Sequence, residues 1–452
     1  MPLVFLLGCG SMATKKEFYE PITASVRAGD YSAAALGLEQ AKDKGKYGKK
    51  DRLIYFIDAG LAYHYDRQFD SSNIRLHAAE SAAEELFTKS ISKAALSVVF
   101  NDNALDYAGE DYEVLYTNLI SALNYAAQNK FDDAFVEVKR ANLKLEQLEM
   151  KYGEAVEAFK RSDAEDSTIA QIDYDIEPVR FQNSAFARWL SMHMYAADGK
   201  FDDAQLDYEL LHHAFETQPF IYNFEPPDIK YVSEDAAVLS VVALSGLSPV
   251  KEALNLRIRT DKDLDLVQTL YTDGTEEGQQ YGQLFLPVSE DYYFKFAIPR
   301  LIDRGSIIDH AKVYADGRAL GRLQVIEDVG RVSRETFKSK KSLIYIRTVL
   351  RAVAKGLVAH KQKEKADTGG LGGWLKKAAI DVVTDLSENA DLRCARLLPG
   401  RILVGDFELP PGTYDLTIEF VDYDGNLVGG QSFPQYTVLE SGLNLIQAAS
   451  SL

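Results

Sequence analysis

Seven histidines, two cysteines and several paired carboxylates are the groups in this 452-residue chain with chemistry to offer. His212-His213 are adjacent on a predicted helix and so point about 100° apart, poor geometry for a shared metal beside an i, i+4 pair. His193 falls one turn beyond Trp189, the setting of a packed or groove-lining ring. Asp132-Asp133 and Asp202-Asp203 resemble hydrolase carboxylates, but each pair stands where a helix begins, and capping and the helix dipole account for it. Gly369-Gly370-Leu371-Gly372-Gly373 lacks the Lys-Ser/Thr of a P-loop and the G-x-G-x-x-G register, and reads as a hinge. Ser387, Ser441 and the other serines lie in no nucleophile-elbow sequence. Cys394 has no activating neighbour in sequence and reads as a small buried hydrophobe. The expectation is a protein with no catalytic residues, no metal site and no cofactor.

Cys9 is different. Leu6-Leu7-Gly8-Cys9, close behind Leu3-Val4-Phe5, reads as a lipobox, in which the thiol receives lipid after cleavage. A secretory signal needs a basic n-region and an apolar stretch of about 7–15 residues. Here only Met1-Pro2 and five apolar residues precede Gly8, so either a start lies upstream or this segment is a buried N-terminus. Gly10 after the cysteine favours sorting to the outer membrane. No run approaches the roughly 18 apolar residues of a spanning helix, which leaves lipid on Cys9 as the membrane attachment. Once Cys9 is lipidated, Cys394 has no partner for an intrachain disulfide.

Charge narrows the partners. Fifty Lys and Arg against 68 Asp and Glu leave −18, which argues against a nucleic-acid binder. Between Arg331 and Lys365 the balance is reversed, with eleven cations against Glu335 and Glu364. That face, at Lys338, Lys340 and Lys341, either solvates a helix balanced by the acidic remainder of the chain or meets an anionic surface. Trp374 beside Lys376 and Lys377, after mobile glycines, suits an interfacial helix and keeps the second possibility open.

The elements that must position these groups fall into two halves. Lys130-Phe131-Asp132-Asp133-Ala134 recurs unchanged as Lys200-Phe201-Asp202-Asp203-Ala204, an offset of 70 and close to twice the tetratricopeptide (TPR) period of about 34. Phe56, Gly60, Tyr63, Phe69, Leu76 and Ala79 fit the same frame, and Asp30 to Ala34 fit it loosely. A small residue lets two antiparallel helices approach, while aromatics fill the space between neighbouring pairs. A TPR-like array over 10–248 follows the 1–9 signal, with a generic antiparallel bundle as the alternative and an interruption expected at Asp163–Glu177.

From Ala253 the period becomes alternating, as in Leu254 to Ile258 and Tyr293 to Pro299. Asp316-Gly317 is a two-residue hairpin signal. The expected order is a first β block over 249–330, a basic helix, glycine hinge and amphipathic helix over 331–390, and a second β block over 391–452. Phe337, Leu343, Ile344, Val349, Leu350, Val353 and Leu357 give the basic helix an apolar stripe. A second helix is expected from Trp374 to about Leu386. The fold class is therefore α+β: a TPR-like helical array, then a mostly antiparallel sandwich-like sheet domain with an inserted long helical pair.

Several segments carry a resemblance that spans the mature chain. They are Phe296-Ala297-Ile298-Pro299, Glu327-Asp328-Val329, Thr348 to Lys355, Ala390-Asp391-Leu392-Arg393, Leu397-Leu398-Pro399-Gly400-Arg401 and Leu409 to Tyr414. With helical repeats behind a lipobox cysteine, the chain resembles a family of Gram-negative TPR-like envelope lipoproteins often encoded beside LpoB-like activators of penicillin-binding proteins. The resemblance implies a periplasmic, lipid-anchored protein and suggests a part in cell-wall assembly. Cys394-Ala395 stand where that family usually shows serine and tryptophan. It has no established catalytic residues, so none is carried over.

The functional expectation is a non-enzymatic scaffold that offers a groove to a protein partner in the envelope. In a TPR frame the groove falls on Tyr116, Leu119, Leu123, Phe186, Trp189 and His193. This lining is so apolar that it either binds a hydrophobic segment or is covered by the chain's own C-terminal half. The rivals are an envelope enzyme or glycan- or peptide-binding module, and an oligomeric secretion or pore component. The sequence sets no oligomeric state.

Overall fold

The computed structural model describes residues 16–93, 106–164, 180–230, 237–272, 274–285, 293–361 and 390–452. Within these residues eight helices pair into four hairpins. They are α1 (Lys16–Arg27) with α2 (Tyr31–Asp43), α3 (Arg52–Tyr65) with α4 (Phe69–Lys93), α5 (Asp111–Ala127) with α6 (Phe131–Ala164), and α7 (Ala185–Ala197) with α8 (Phe201–Thr217). The second helices start at Tyr31, Phe69, Phe131 and Phe201, and three residues into each lies a fully buried small side chain, Ala34, Ser72, Ala134 or Ala204. At Gly60 the approach is close enough that a Cβ would lie 2.5 Å from Leu76 Cδ2. Each hairpin turns through one left-handed residue: Gly29 (φ 75°), Arg67 (59°), Asn129 (56°) and Gly199 (71°).

The strands that follow are β1 (Val238–Ser245), β2 (Val250–Asp261), β3 (Leu266–Tyr271), β4 (Gln280–Phe285), β5 (Tyr293–Ile302), β6 (Ile308–Ala315) and β7 (Arg318–Asp328). After the helix α9 (Val329–Lys361) come β8 (Arg401–Glu408), β9 (Gly412–Asp422), β10 (Leu427–Val438) and β11 (Asn444–Ser450). Seven strands form one sheet in the order β10-β9-β6-β7-β8-β1-β11, antiparallel except for the β1/β11 pair. Val241, Val313, Leu323, Leu403, Ile418, Phe433 and Ile446, one from each strand, share a single core, so the sheet curls on itself and is barrel-like. Asp316 (φ 49°) and Gly317 (φ 76°) make the β6–β7 turn, as the Asp-Gly signal requires.

Three expectations are corrected. Strand β1 lies inside the stretch assigned to the helical domain, which ends at Thr217 with α8. All eight β1 residues are buried because one face lines the barrel and the other packs on the helices, so no alternation marks it as a strand. The two strand blocks merge only in part: β6 and β7 of the first join β8 to β11 in the seven-stranded sheet, while β4-β3-β2-β5 form a separate sheet. Phe337, Ile344 and Val349 of α9 pack on that sheet against Leu256, Ile258 and Ile298. Helix α9 starts at Val329, and the Gly369–Gly373 hinge, the Trp374–Leu386 helix and all but the first two residues of Asp163–Glu177 lie outside the described residues.

Candidate functional site

The six groove positions face the barrel. Tyr116, Leu119 and Leu123 on α5 and Phe186, Trp189 and His193 on α7 are all buried, in contact with the outer face of β1, β7 and β8 through Val242, Leu244, Ile326 and Val404. Of the two outcomes their apolar character allowed, cover by the chain's own C-terminal half is the one found. This corrects their place as a partner-binding surface, because no face of these side chains is left for a partner.

Polar groups stitch that interface. Glu327 on β7, fully buried, accepts hydrogen bonds from the hydroxyls of Tyr116 (2.5 Å), Ser184 (2.8 Å) and Tyr222 (2.8 Å) and from the Phe186 N–H (3.3 Å). Its carboxylate sits at the N-terminus of α7, where the dipole favours negative charge, yet burial pushes its pKa above the ordinary value. The irregular segment 393–398, which bends at Arg396 to Leu398, packs on the array. Ala395 N–H donates to Glu113 Oε1 (2.7 Å), and Arg396 and Leu397 N–H donate to Asp58 Oδ1 (2.7 and 3.1 Å). Burial raises Asp58 to about 6, and burial with the neighbouring Glu110 charge raises Glu113 to about 7. Burial pulls Glu110 upward too, but Lys251 and Lys340 outweigh it and bring that carboxyl down to about 2. Cys394 is buried in the same segment, which pushes its thiol up and away from thiolate chemistry.

Catalysis has one constellation to test. His193 Nε2 lies 2.9 Å from Asp406 Oδ1, and Ser240 Oγ lies 3.2 and 3.3 Å from the two ring nitrogens. A nucleophile must be aimed at one nitrogen while the carboxylate holds the other. Here the hydroxyl is equidistant from both, and Ser240 sits in mid-strand, paired with Asp406 on β8 and Leu445 on β11. Trp189 Nε1 donates to Asp406 Oδ2 at 3.2 Å, which completes a buried polar pairing between helix and sheet.

Near its start the basic helix finds partners within the chain. Lys338 pairs with Glu335 at 2.7 Å, Lys340 with Glu110 at 2.8 Å, and Lys341 lies 5.5 Å from the Tyr281 ring. Burial pushes Lys341 below its ordinary value. Lys338 and Lys340 thus each have a partner within the chain, while both side chains stay partly exposed. Cys9, Trp374, Lys376 and Lys377 lie outside the described residues.

An open site lies where the barrel fails to close. Strands β10 and β11 are the two ends of the seven-stranded sheet, and the Gln447 side chain on β11 donates to the Leu123 carbonyl of the array (3.0 Å). Along β10 runs a cleft of about 660 Å³ lined by Gln431 through Thr437, by Leu439, Leu443 and Asn444, and by Arg67 and Asn129 from two hairpin turns. Alternate residues of a strand point to opposite faces, so a cleft over one face would touch every second residue. The seven consecutive lining residues span a bulge between Phe433 and Tyr436, where alternation breaks, and lie on a strand whose one ladder partner in the sheet is β9, so the cleft follows the strand's edge. Pro434 stands in that edge, as proline in sheets does.

Strain gathers at the same place. Among the described residues five non-glycine residues have positive φ: Arg67, Asn129, Asp265, Asp316 and Gln435. Asn and Asp tolerate that conformation, whereas Arg and Gln are held in it at a cost of about 1–2 kcal/mol. Arg67 and Gln435 both line the cleft. Asp415 Oδ1 fixes Gln435 through its backbone N–H (2.8 Å) and side-chain amide (3.1 Å). The Arg67 guanidinium lies 5.1 Å from the Phe433 ring and 5.9 Å from the Phe69 ring, and burial lowers its pKa. Sequence reasoning missed this site, although one signal was present: arginine occupies the repeat position that Gly29, Asn129 and Gly199 hold in the other hairpins. In comparisons with known proteins the chain matches no family model and no curated protein.

Proposed function

We propose that this chain is a non-enzymatic adaptor of the Gram-negative envelope, held by lipid on Cys9 at the periplasmic side of the outer membrane, with a part in cell-wall or envelope assembly. In this reading the hairpins are a TPR-like array whose groove is spent on the chain's own β domain, and a protein partner docks along the β10 edge instead. The observation that carries it is the cleft running along seven consecutive residues of an edge strand, while the groove lining is buried. An extended segment added there would gain backbone hydrogen bonds from the strand and side-chain contacts from the rim.

The enzyme reading finds its strongest support in Ser240, His193 and Asp406, the first two of which line a cavity of about 160 Å³ beside the α7–α8 turn. Their alignment speaks against it. The adaptor reading is tested by photo-crosslinking in intact cells, with the crosslinker at Ser432 or Thr437 on the edge and at exposed Tyr423 as control. Discrete adducts at the edge positions alone are expected, together with loss of palmitate labelling in Cys9→Ser. Equal adducts at Tyr423, or none at the edge, would refute edge docking.

A further inference from the structure

Backbone hydrogen bonds to an edge strand are open to any extended segment, so selectivity must come from side chains at the rim. The lining of the β10 cleft contains one charged residue, Arg67, and no carboxylate, in a chain of net charge −18. Among the described residues no hydrogen bond or ion pair engages its guanidinium, which rests between Phe69 and Phe433. Stacking on aromatic rings fixes the plane of an arginine and leaves its N–H fork pointing outward, the geometry that binds a carboxylate through two parallel hydrogen bonds. The backbone at Arg67 is left-handed, where its repeat equivalents are glycine or asparagine, and strain of this kind concentrates at ligand clamps.

We propose that Arg67 anchors a carboxylate on an acidic, extended peptide segment laid along β10. This rests on the edge-docking reading above and names the partner's chemistry. Repulsion from acidic groups farther off is screened over about 8 Å at physiological salt, and the carboxylate beside the lining, Asp415, already accepts two hydrogen bonds from Gln435.

The test is selection of a random seven-residue phage library on the full chain and on Arg67→Gly, followed by hydrogen exchange of 431–437 with the best synthetic peptide bound. Glycine already serves two of the four turns, so Arg67→Gly is expected to fold. Wild type should enrich Asp or Glu at one fixed position, and the acidic peptide should bind about ten- to a hundredfold more tightly than its amide counterpart. Arg67→Gly should erase that preference while both peptides still protect 431–437, and Arg67→Lys should keep only part of it. Equal affinity for acid and amide on wild type would overturn the Arg67 assignment and leave edge docking standing. Displacement by inorganic phosphate at concentrations that free glutamate does not match would overturn the peptide carboxylate as the anion. Bound peptides that leave 431–437 unprotected would overturn edge docking itself, and the inference with it.

Discussion

Replacing Glu327 tests whether the helical array and the barrel are joined by one buried acceptor. Four donors converge on its carboxylate, the hydroxyls of Tyr116, Ser184 and Tyr222 and the Phe186 N–H. In Glu327→Leu three of them lose their acceptor in a dry interface, at about 1–3 kcal/mol for each group left unsatisfied, while the Tyr222 hydroxyl keeps the Asn183 carbonyl at 3.3 Å. Even at the lower end of that range the loss is about 3 kcal/mol. Glu327→Gln keeps the shape, still accepts at one oxygen, and removes a charge that burial already disfavours, so it should cost only about 1–2 kcal/mol. Adding Tyr116→Phe to Glu327→Leu removes one stranded hydroxyl and should return about 1 kcal/mol, although each change alone destabilises, whereas Tyr222→Phe should return nothing because the Ala185 N–H donates to that hydroxyl. The assay is urea unfolding in a Trp374→Phe background, which leaves interfacial Trp189 as the only tryptophan of the two in the chain. If Glu327→Leu and Glu327→Gln fall within 0.5 kcal/mol of each other, on the scale of ordinary surface changes, the reasoning fails.

The carboxyls that hold segment 393–398 should leave a signature in pH. Asp58 and Glu113 have folded values near 6 and 7, above their unfolded ones, so their contribution is full below the unfolded value and is lost as pH rises through the folded value. Buried His64, lowered to about 4, acts oppositely between pH 4 and its ordinary value, so the wild-type curve alone hides the effect. Asp58→Asn and Glu113→Gln should therefore each gain about 3 kcal/mol on wild type between pH 4 and 8 in urea titrations, and a flat difference would contradict the assignment. Gly60→Ala should lower stability by about 1–3 kcal/mol by driving Cβ into Leu76, with thermal melting expected to show partial recovery in Gly60→Ala/Leu76→Ala. Lys340→Glu should cost about 2 kcal/mol by setting a second carboxylate against buried Glu110, whereas exposed Lys338→Glu should cost less. Co-sedimentation of delipidated protein with anionic vesicles should be unchanged in both, and loss of binding would restore an outside anionic surface to the basic helix.

Local chemistry was readable before any tertiary contact. The aromatic-to-alanine spacing of the repeat, the Asp316-Gly317 hairpin and the apolar positions Phe337, Ile344 and Val349 of α9 each depend on neighbours within a few residues and are found as spaced, although each second helix begins at the aromatic rather than at the small residue three positions on. Strand β1 was not readable, because burial on both faces erases alternation. The separation of the small sheet from the barrel was equally hidden, since alternation marks a strand but not its partner.

By itself the sequence determined the α+β order and the pairing of helices around the recurring Phe131 and Phe201 segments, because propensity, periodicity and motif spacing are properties of short windows. Only the tertiary structure decided that the six groove positions are covered, that Asp58, Glu113 and Glu327 lie buried among donors from distant segments, and that the open cleft lies beside β10. Those outcomes depend on groups up to several hundred residues apart meeting on folding. Tyr65 donating to the Leu397 carbonyl at 2.6 Å is one such meeting, and no window of sequence contains both partners.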